Sequence, residues 1–403
     1  MIILRTDTNT GETTNGTIID LARQIYQDAR EVITEQGNLT LHLDLAMASL
    51  EFQRALGEDF RPGESMAKAM TLFRAGRDHE PWLYGGVAHV GWLAIQLANE
   101  SGADISGLHR IDDMIMSWIL EFPDDRDVDL PFGLLGLGVY ALSHPVARVR
   151  ADLTDAILTV IERRVEHDNG VFLRLAPWEA RIRVTPHLVG QRDLGVAHGN
   201  AGLVSYLASA AMSGLPSQDR AAALLTESLR WLTRQRCDLE GTIFPQTVES
   251  RYATARSAWC YGDPGVALAL TVAAEASGND QVRALAAETA AAAIARPAEL
   301  TRVHDACLCH GAAGLVWFGH RTALDHGHDT DAYVTDWVAD IARRRAAGPL
   351  IYTSVVGRRR DHTFLEGDLG TALVLLYRAT GVEPLWQERL LGVAVRPDRG
   401  GRS

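Results

Sequence analysis

One short signal repeats six times along this chain and constrains its fold more than any other feature. Each copy is a glycine, two further residues and, in five copies, a second glycine, followed by an apolar run of helical character. The copies begin at Gly86, Gly133, Gly199, Gly262, Gly311 and Gly367. The steps between them are 47, 66, 63, 49 and 56 residues. Each step is long enough for the rest of one helix, a second helix and two loops, so the chain is expected to be all-α.

Two kinds of helix are expected within each step. The helices that begin at the glycines are apolar nearly all round, which is typical of a helix enclosed on every side. The intervening stretches, such as those from Leu153 and from Ala221, place apolar residues at i, i+3, i+4 and i+7 and predict amphipathic outer helices. Six inner helices are therefore expected to form a ring that is surrounded by outer ones.

The glycines also indicate where chemistry is expected. A glycine at a helix start permits a tight backbone and leaves unpaired N–H groups at that end. Six such starts are expected to converge on one mouth, where positive helix ends and polar side chains meet. The alternative for any single copy is close helix packing alone.

Four regions depart from the repeat. Residues 166–194 are expected to form a small β insertion, because GVFLRL and RIRVTP alternate like short strands around APWEA. The strings TIFPQTVE, from Thr242, and LIYTSVV, from Leu350, have the same character. Residues 393–403 are expected to be a disordered tail, and residues 1–403 otherwise one domain.

Charge and hydropathy exclude several partners. The chain has 39 Lys and Arg against 51 Asp and Glu, a net charge of −12, which would repel the phosphate backbone of a nucleic acid. No window reaches about 18 consecutive apolar residues, and the N-terminus lacks the basic flank of a signal peptide. We therefore expect a cytoplasmic protein with no transmembrane segment. In that reducing compartment, four cysteines favour metal binding or reactivity over disulfides.

Several of the cysteines and histidines stand directly beside the repeated glycines. If the copies are equivalent, Cys260, Cys309 and His310 supply two thiolates and one imidazole at the shared mouth. A Cys2His set leaves the fourth tetrahedral position of Zn²⁺ open, which favours a catalytic site. The alternative for a single cysteine is a small buried hydrophobe, which we expect for Cys237, and Cys307 competes with Cys309 as a ligand.

At this point a family resemblance is specific. The strings GVAHGNAG, SAWCYGDPG and CHGAAG, in this order, resemble the lanthionine synthetase C family, the cyclases of class I lanthipeptide biosynthesis. The resemblance covers roughly residues 80–375. It implies an α/α toroid of six inner and six outer helices, with zinc held by residues that match Cys260, Cys309 and His310.

The resemblance also assigns roles to further residues. It implies that His198 is the acid/base residue, that Asp129 supports it, and that Arg256 lies close by. Trp259 and Tyr261 flank a ligand candidate, and we expect them either to line the groove for a substrate peptide or to pack as ordinary aromatics.

The implied reaction joins a cysteine thiol of a precursor peptide to dehydroalanine or dehydrobutyrine, giving the (methyl)lanthionine rings of a lantibiotic. Coordination to Zn²⁺ deprotonates a thiol whose pKa is otherwise near 8.5. The addition then forms an enolate, which Arg256 is suited to stabilise and His198 to protonate. The implied partners are the dehydrated precursor peptide, a dehydratase and an exporter, which would place the protein in the cytoplasm or peripherally at the inner face of the membrane.

Three other functions compete with this one. A LanC-like protein that adds glutathione to dehydroamino acids would use the same zinc residues. A zinc-bearing scaffold that binds peptides without activity is a second alternative, although the complete set of Asp129, His198 and Arg256 argues against it. An α/α-barrel glycosidase needs two carboxylates that flank a sugar bond, and it would leave the Cys and His cluster unexplained.

Overall fold

The structure of the chain is a computed structural model that describes residues 14–76, 79–237, 239, 241–354 and 357–396. Its helices are α1 Asn15–Gln36, α2 Leu39–Leu56, α3 Pro62–Ala75, α4 Val87–Ser101, α5 His109–Leu120, α6 Leu134–Ser143, α7 Ala147–Arg164, α8 Glu179–Val184, α9 Asn200–Ala211, α10 Gln218–Leu232, α11 Asp263–Ser277, α12 Asp280–Ala295, α13 Ala312–His326, α14 Asp331–Ala346 and α15 Asp368–Thr380. Short 3₁₀ turns connect several of them, the longest at Leu385–Leu390.

Strands are few and short. Strands β1 Glu166–His167 and β2 Val171–Phe172 pair in antiparallel fashion, as do β3 Tyr352–Ser354 and β4 Gly357–Arg359. In the second hairpin Thr353 stands opposite Arg358. The extended character expected from Leu350 onward is thus confirmed for β3, whereas the stretch from Thr242 forms only isolated bridges.

Each of the six repeated glycines is the N-cap of a helix, and these helices are α4, α6, α9, α11, α13 and α15. Their burial agrees with their uniform apolar character. Every residue of α6 is buried, and so are the first eleven residues of α9. The expectation that helices beginning at the glycines are enclosed is confirmed.

The loop before each helix explains the glycine. At Gly262 the backbone has a φ of 94°, in the left-handed region, and a Cβ atom there would collide with the carbonyl oxygen of Arg256. At Gly133 a Cβ atom would collide with the carbonyl oxygen of Asp127. The chain therefore folds back over the helix start so closely that only glycine fits.

The same loops take up N–H groups of the helix starts. The N–H of Asn200 donates to the carbonyl of Asp193 at 2.9 Å, and that of Ala312 donates to the carbonyl of Asp305 at 3.0 Å. In the fifth copy the next two N–H groups also have backbone partners. The expectation that these starts leave unpaired N–H groups is therefore wrong for these copies, because the preceding loop supplies the acceptors.

The chain forms two compact units. One comprises the described residues up to Leu72 together with Arg302–Pro384, and the other comprises Phe73–Thr301 together with the described residues from Leu385 onward. In the first unit α15 packs against α1, α2 and α13, while α13 packs against α14. In the second unit α4, α6, α9 and α11 pack against one another in chain order, and each packs against the outer helix α5, α7, α10 or α12 that follows it.

The outer helices bury one face, as their periodicity predicts. In α7 the buried residues include Leu153, Ile157 and Ile161, and in α10 they include Leu225 and Leu229. These residues recur at intervals of four, which places them on one side of a helix. The amphipathic prediction for both stretches is confirmed.

The insertion at residues 166–194 differs from expectation in its second half. The stretch RIRVTP is helical, in α8 and the 3₁₀ turn Pro186–Leu188. Ile182 and Val184, whose alternation suggested a strand, are about half exposed, whereas Arg181 is buried. The alternating pattern wrongly predicted a strand because the side chain that is buried in this segment is the charged Arg181 and not an apolar one.

The end of the chain also differs from expectation. Val393 and Val395 are buried, and the N–H of Val395 donates to Ser209 Oγ at 3.2 Å. A disordered tail from residue 393 is thus wrong for residues 393–395, because their apolar side chains pack. Residues 397–403, which also fall in the expected tail, lie outside the described residues.

None of the helices in the described part of the chain is both long enough and apolar enough to cross a bilayer.

Candidate active site and metal centre

A buried carboxylate fixes the imidazole of His198. Asp129 is 1% exposed, and its Oδ2 accepts a hydrogen bond from His198 Nδ1 at 2.6 Å. Its other oxygen accepts the backbone N–H of Phe132 at 2.9 Å. Because Nδ1 is used in this way, Nε2 is the nitrogen that can meet a substrate. The side chain of His198 is 36% exposed, so a substrate can reach it.

Backbone hydrogen bonds hold the loops of neighbouring copies together. The N–H of Leu130 donates to the carbonyl of Ala197 at 3.0 Å, and the N–H of Ala197 donates to the carbonyl of Cys260 at 3.1 Å. Ala197 and Cys260 each stand two residues before the glycine of their copy. The loops that carry Asp129, His198 and Cys260 are therefore joined in chain order through their backbones.

The surroundings of His198 favour its charged form. Partial enclosure disfavours the imidazolium, but the hydrogen bond to Asp129 and the charges of Asp129 and Asp193 outweigh it. Together they raise the pKa of His198 to about 9. At neutral pH this imidazole is thus protonated and suited to donate a proton.

Two further buried acids lie near this pair, and sequence reasoning missed both. Burial and the charge of Asp129 raise the pKa of Asp127 to about 6, although the guanidinium of Arg181 pairs with Asp127 and opposes the shift. Burial likewise raises the pKa of Asp193 to about 6. Asp127 Oδ1 also accepts the N–H of Ala176 at 2.6 Å, which ties the insertion to the Asp129 loop.

These two acids could have been predicted, because they stand at a position that is repeated along the sequence. The sixth residue before the glycine is acidic in five of the six copies: Glu80, Asp127, Asp193, Asp305 and Asp361. In the remaining copy that position is Arg256. The Arg256 side chain is partly exposed and makes no hydrogen bond or ion pair within the described part of the chain, so its charge is available to a ligand.

One aromatic ring lies beside His198 and a second lies beside that ring, and neither was predicted from the sequence. The ring of Phe132, 38% exposed, lies 6.3 Å from the imidazole with the two planes 22° apart. The ring centroid of Trp178, in the insertion, lies 5.9 Å from that of Phe132. The guanidinium carbon of Arg126 lies over the Trp178 ring, 5.1 Å from its centroid. The position of Phe132 directly before Gly133 is the sequence signal that could have identified it.

The two aromatics expected beside the substrate differ in burial. Trp259 is 1% exposed, and its Nε1 donates to the carbonyl of Leu390 at 2.9 Å. Its ring is part of the packing, which is the second of the two alternatives that the sequence left open for this residue. Tyr261 is partly exposed.

Three side chains named from the sequence form a group that could hold a metal ion. The sulfur atoms of Cys260 and Cys309 and an imidazole nitrogen of His310 lie within 4.8 Å of one another. Tetrahedral zinc with bonds of about 2.3 Å to sulfur and 2.0–2.1 Å to nitrogen needs ligand atoms roughly 3.3–3.8 Å apart. The limit of 4.8 Å is compatible with this spacing, and two thiols and one imidazole are ligand types that zinc prefers, so a bound zinc would have one tetrahedral position left for another ligand.

A second group of possible ligands is already engaged in hydrogen bonds. It consists of Asp305, Cys307 and His310. Asp305 Oδ1 accepts the N–H of Cys307 at 3.0 Å, and Cys307 Sγ accepts the N–H of His310 at 3.4 Å. Cys307 is completely buried. Cys307 therefore lies close enough to His310 to stay a competitor of Cys309 as a ligand, as the sequence left open.

Comparison with known proteins identifies the family of the chain and its fold. The family model described as "Lanthionine synthetase C-like protein" matches residues 69–391. Among curated protein sequences none matches the chain. The solved structure named "Nisin cyclase" superposes with a TM-score of 0.74 at 18% identity, over 93% of this chain and 98% of that one. This likeness confirms the predicted α/α toroid fold.

A second solved structure is less similar. It is an inactive variant of the alpha-1,6-mannanase GH76A of Salegentibacter sp. HEL1_6 in complex with alpha-1,6-mannotriose. The TM-score is 0.43 at 10% identity, over 91% of this chain and 99% of that one.

Proposed function

Because this chain belongs to the lanthionine synthetase C-like family, we propose that it is a zinc-dependent cyclase of dehydrated precursor peptides. It adds the thiol of a peptide cysteine to dehydroalanine or dehydrobutyrine and so forms lanthionine or methyllanthionine. The observation that carries the proposal is the group of Cys260, Cys309 and His310, since its donor atoms suit zinc and leave room for a substrate sulfur.

The metal has one role in this proposal. Cys260, Cys309 and His310 would hold Zn²⁺, which supplies the positive charge that keeps a thiol deprotonated at neutral pH. Two protein thiolates already balance the charge of the dication, so a third sulfur stays electron-rich. The remaining steps belong to side chains of the protein.

His198 delivers the proton that completes the addition. As the new S–C bond forms at the β-carbon, the C=C π pair moves toward the carbonyl and gives an enolate, which needs a proton at its α-carbon. His198 carries that proton on Nε2, because Asp129 occupies Nδ1. The thiol proton, released when the sulfur is deprotonated, restores the charge of the imidazole after turnover.

Arg256 stabilises the developing charge. The enolate places negative charge on the carbonyl oxygen of the dehydro residue, where a fixed cation contributes most. Arg256 suits this role because its guanidinium stays protonated and has no ion-pair partner within the described residues.

Phe132 and Trp178 are the aromatics that we assign to the peptide path. Phe132 is 38% exposed and its ring lies 6.3 Å from the imidazole of His198, so we expect a dehydro residue that is protonated by His198 to contact this ring. We keep Tyr261 as a second contact of the peptide.

The partners and location that we propose are those that the family resemblance implies. A dehydratase must act first, because the electrophile is made from Ser or Thr of the precursor. An exporter takes the finished peptide, and we place the protein in the cytoplasm or peripherally at the inner membrane face.

Cyclisation of a dehydrated precursor peptide tests the proposal. The zinc-loaded protein is expected to consume the free thiols of the peptide without changing its mass. His198→Ala should slow turnover by about 10²–10⁴-fold and retain zinc, whereas Cys309→Ala should lose zinc. A zinc-loaded protein that leaves the peptide thiols free would contradict the proposal.

The same assay separates the alternatives. With glutathione present, a LanC-like protein that adds this thiol would increase the mass of the peptide, whereas a cyclase would not. An inactive scaffold would bind the peptide and change neither its thiols nor its mass.

A further inference from the structure

The imidazole of His310 is held by the backbone of strand β3. Its Nε2 lies 3.0 Å from the carbonyl oxygen of Thr353. A carbonyl oxygen only accepts hydrogen bonds, so Nε2 carries the hydrogen and donates. In the neutral ring, Nδ1 then keeps the lone pair and is the nitrogen that can bind a metal.

Thr353 is in turn held by a buried carboxylate. Its N–H donates to Asp305 Oδ2 at 2.9 Å, and Asp305 is 1% exposed. The other oxygen of Asp305 accepts the N–H of Cys307 at 3.0 Å, in the loop that also carries Cys309 and His310. One carboxylate thus joins the ligand-bearing loop to the strand whose carbonyl orients His310.

We infer that Asp305 is a positioning residue for the metal: through Thr353 it fixes His310 with the hydrogen on Nε2 and Nδ1 directed to zinc. The inference deepens the proposed function and rests on it. Metal-binding histidines commonly donate their second N–H to a carbonyl or carboxylate, and removal of such a partner typically weakens metal binding about 10–100-fold.

A direct role for Asp305 as a ligand fits the contacts less well. Both of its oxygens accept backbone N–H groups, and the approach of Oδ2 to His310 Nε2, at 4.0 Å, is too long for a hydrogen bond.

The next copy of the repeat offers a matched control. Asp361 stands six residues before Gly367, as Asp305 does before Gly311. Its Oδ1 also accepts the N–H of the residue two positions on, Thr363, at 2.9 Å. Its Oδ2 pairs with the guanidinium of Arg359 at 3.0 Å. The corresponding oxygen of Asp305 instead accepts the N–H of Thr353.

Zinc affinity of the full-length protein tests the inference without reference to activity. Asp305→Asn removes one of the two acceptors and should raise the zinc Kd about 10–100-fold, measured by competition with a chromophoric chelator. Asp361→Asn should leave the Kd unchanged. The cobalt-substituted Asp305→Asn protein should show altered ligand-field bands, because the imidazole is no longer held in one orientation.

An affinity of Asp305→Asn equal to that of the wild type would overturn the inference, even if the variant unfolds at lower temperature. Equal weakening by Asp361→Asn would overturn it as well. If the wild type itself binds no zinc, the proposed function fails and the inference fails with it. If the wild type binds zinc and only the difference between the variants is missing, the inference alone fails.

A second measurement needs no substitution at Asp305. In zinc-free protein with ¹⁵N-labelled histidine, the neutral His310 signal should show hydrogen on Nε2, and zinc should shift the Nδ1 resonance. His310→Gln assigns the signal. Hydrogen on Nδ1 would contradict the inference whether or not Asp305→Asn folds.

Discussion

Asp129 and His198 are 69 residues apart in the chain, yet their side chains meet in a hydrogen bond of 2.6 Å. The carboxylate belongs to the second copy of the repeat and the imidazole to the third. The pairing fixes which imidazole nitrogen faces the substrate and strengthens its hold on a proton.

Replacing Asp129 should therefore lower the pKa of His198. Asp129→Asn removes the carboxylate that raises the pKa of His198, so this pKa should fall from about 9 toward or below its ordinary value of 6.5. NMR titration of the His198 imidazole measures the change, with His198→Gln to assign the signal. An unchanged pKa would mean that Asp129 does not set the charge of the ring.

The same pKa predicts how stability depends on pH. The pKa of His198 is higher in the folded protein than in the unfolded chain, so the folded state binds the proton more tightly. The resulting stabilisation is complete below about pH 6.5 and is lost as pH rises through about 9. The difference in urea midpoint between wild type and His198→Gln should shrink over this range. A difference that grows with pH would contradict this sign.

A substitution at Gly262 should be far more costly than one at another glycine with positive φ. Gly262→Ala brings a Cβ atom into the carbonyl of Arg256, whereas a Cβ at Gly278, which has a φ of 61°, meets open space. We expect Gly278→Ala to cost about 1–2 kcal/mol of unfolding free energy from φ alone, and Gly262→Ala to cost clearly more. Urea denaturation measures both, and equal losses would argue against the crowding.

Loss of Arg181 should strongly lower the free energy of unfolding as long as Asp127 keeps its carboxylate. Both side chains are buried, so Arg181→Met leaves an unpaired buried carboxylate and should cost about 3–5 kcal/mol. The double variant Arg181→Met/Asp127→Asn should recover part of this loss, because the uncompensated charge is gone. Urea midpoints of the four proteins form the test, and purely additive losses would count against the pairing.

Phe132 should affect binding of the peptide more than the proton transfer. Phe132→Ala removes an aromatic contact of about 0.5–1.5 kcal/mol and should raise KM roughly 2- to 12-fold with kcat little changed. Phe132→Tyr keeps the ring and should restore KM. A loss confined to kcat would instead indicate that the ring positions His198.

Much of the helical fold could be predicted because its signal is local and repeated. A glycine at the start of an apolar run marks each inner helix, and the periodicity from Leu153 marks an outer one. The residues expected at the candidate metal centre stand beside those glycines, so register alone indicated which cysteines and histidine belong together. The identity of the metal and the roles of these residues remain predictions.

The missed features depend on contacts that are distant in sequence. Trp178 lies near the Phe132 ring because Asp127 pairs with Arg181 and accepts the N–H of Ala176, on either side of Trp178 in the chain. No local sequence pattern predicts these contacts. Trp259 lies next to a ligand candidate in sequence, but its indole turns into the packing toward Leu390. Neighbouring residues of a loop can point to opposite sides, which composition and spacing do not resolve.

The backbone bonds between successive loops have an evolutionary consequence. Ala197 and Leu365 occupy the same place in their copies as the sulfur-bearing residues Cys260 and Cys309, and the bonds from Ala197 to Cys260 and from Cys309 to Leu365 join these places in pairs. A lineage could thus gain or lose a thiol at this place by a single codon change, without rebuilding the main chain. Reactivity at this place therefore depends on the side chain, while the backbone bonds that join the loops are the same with or without the sulfur.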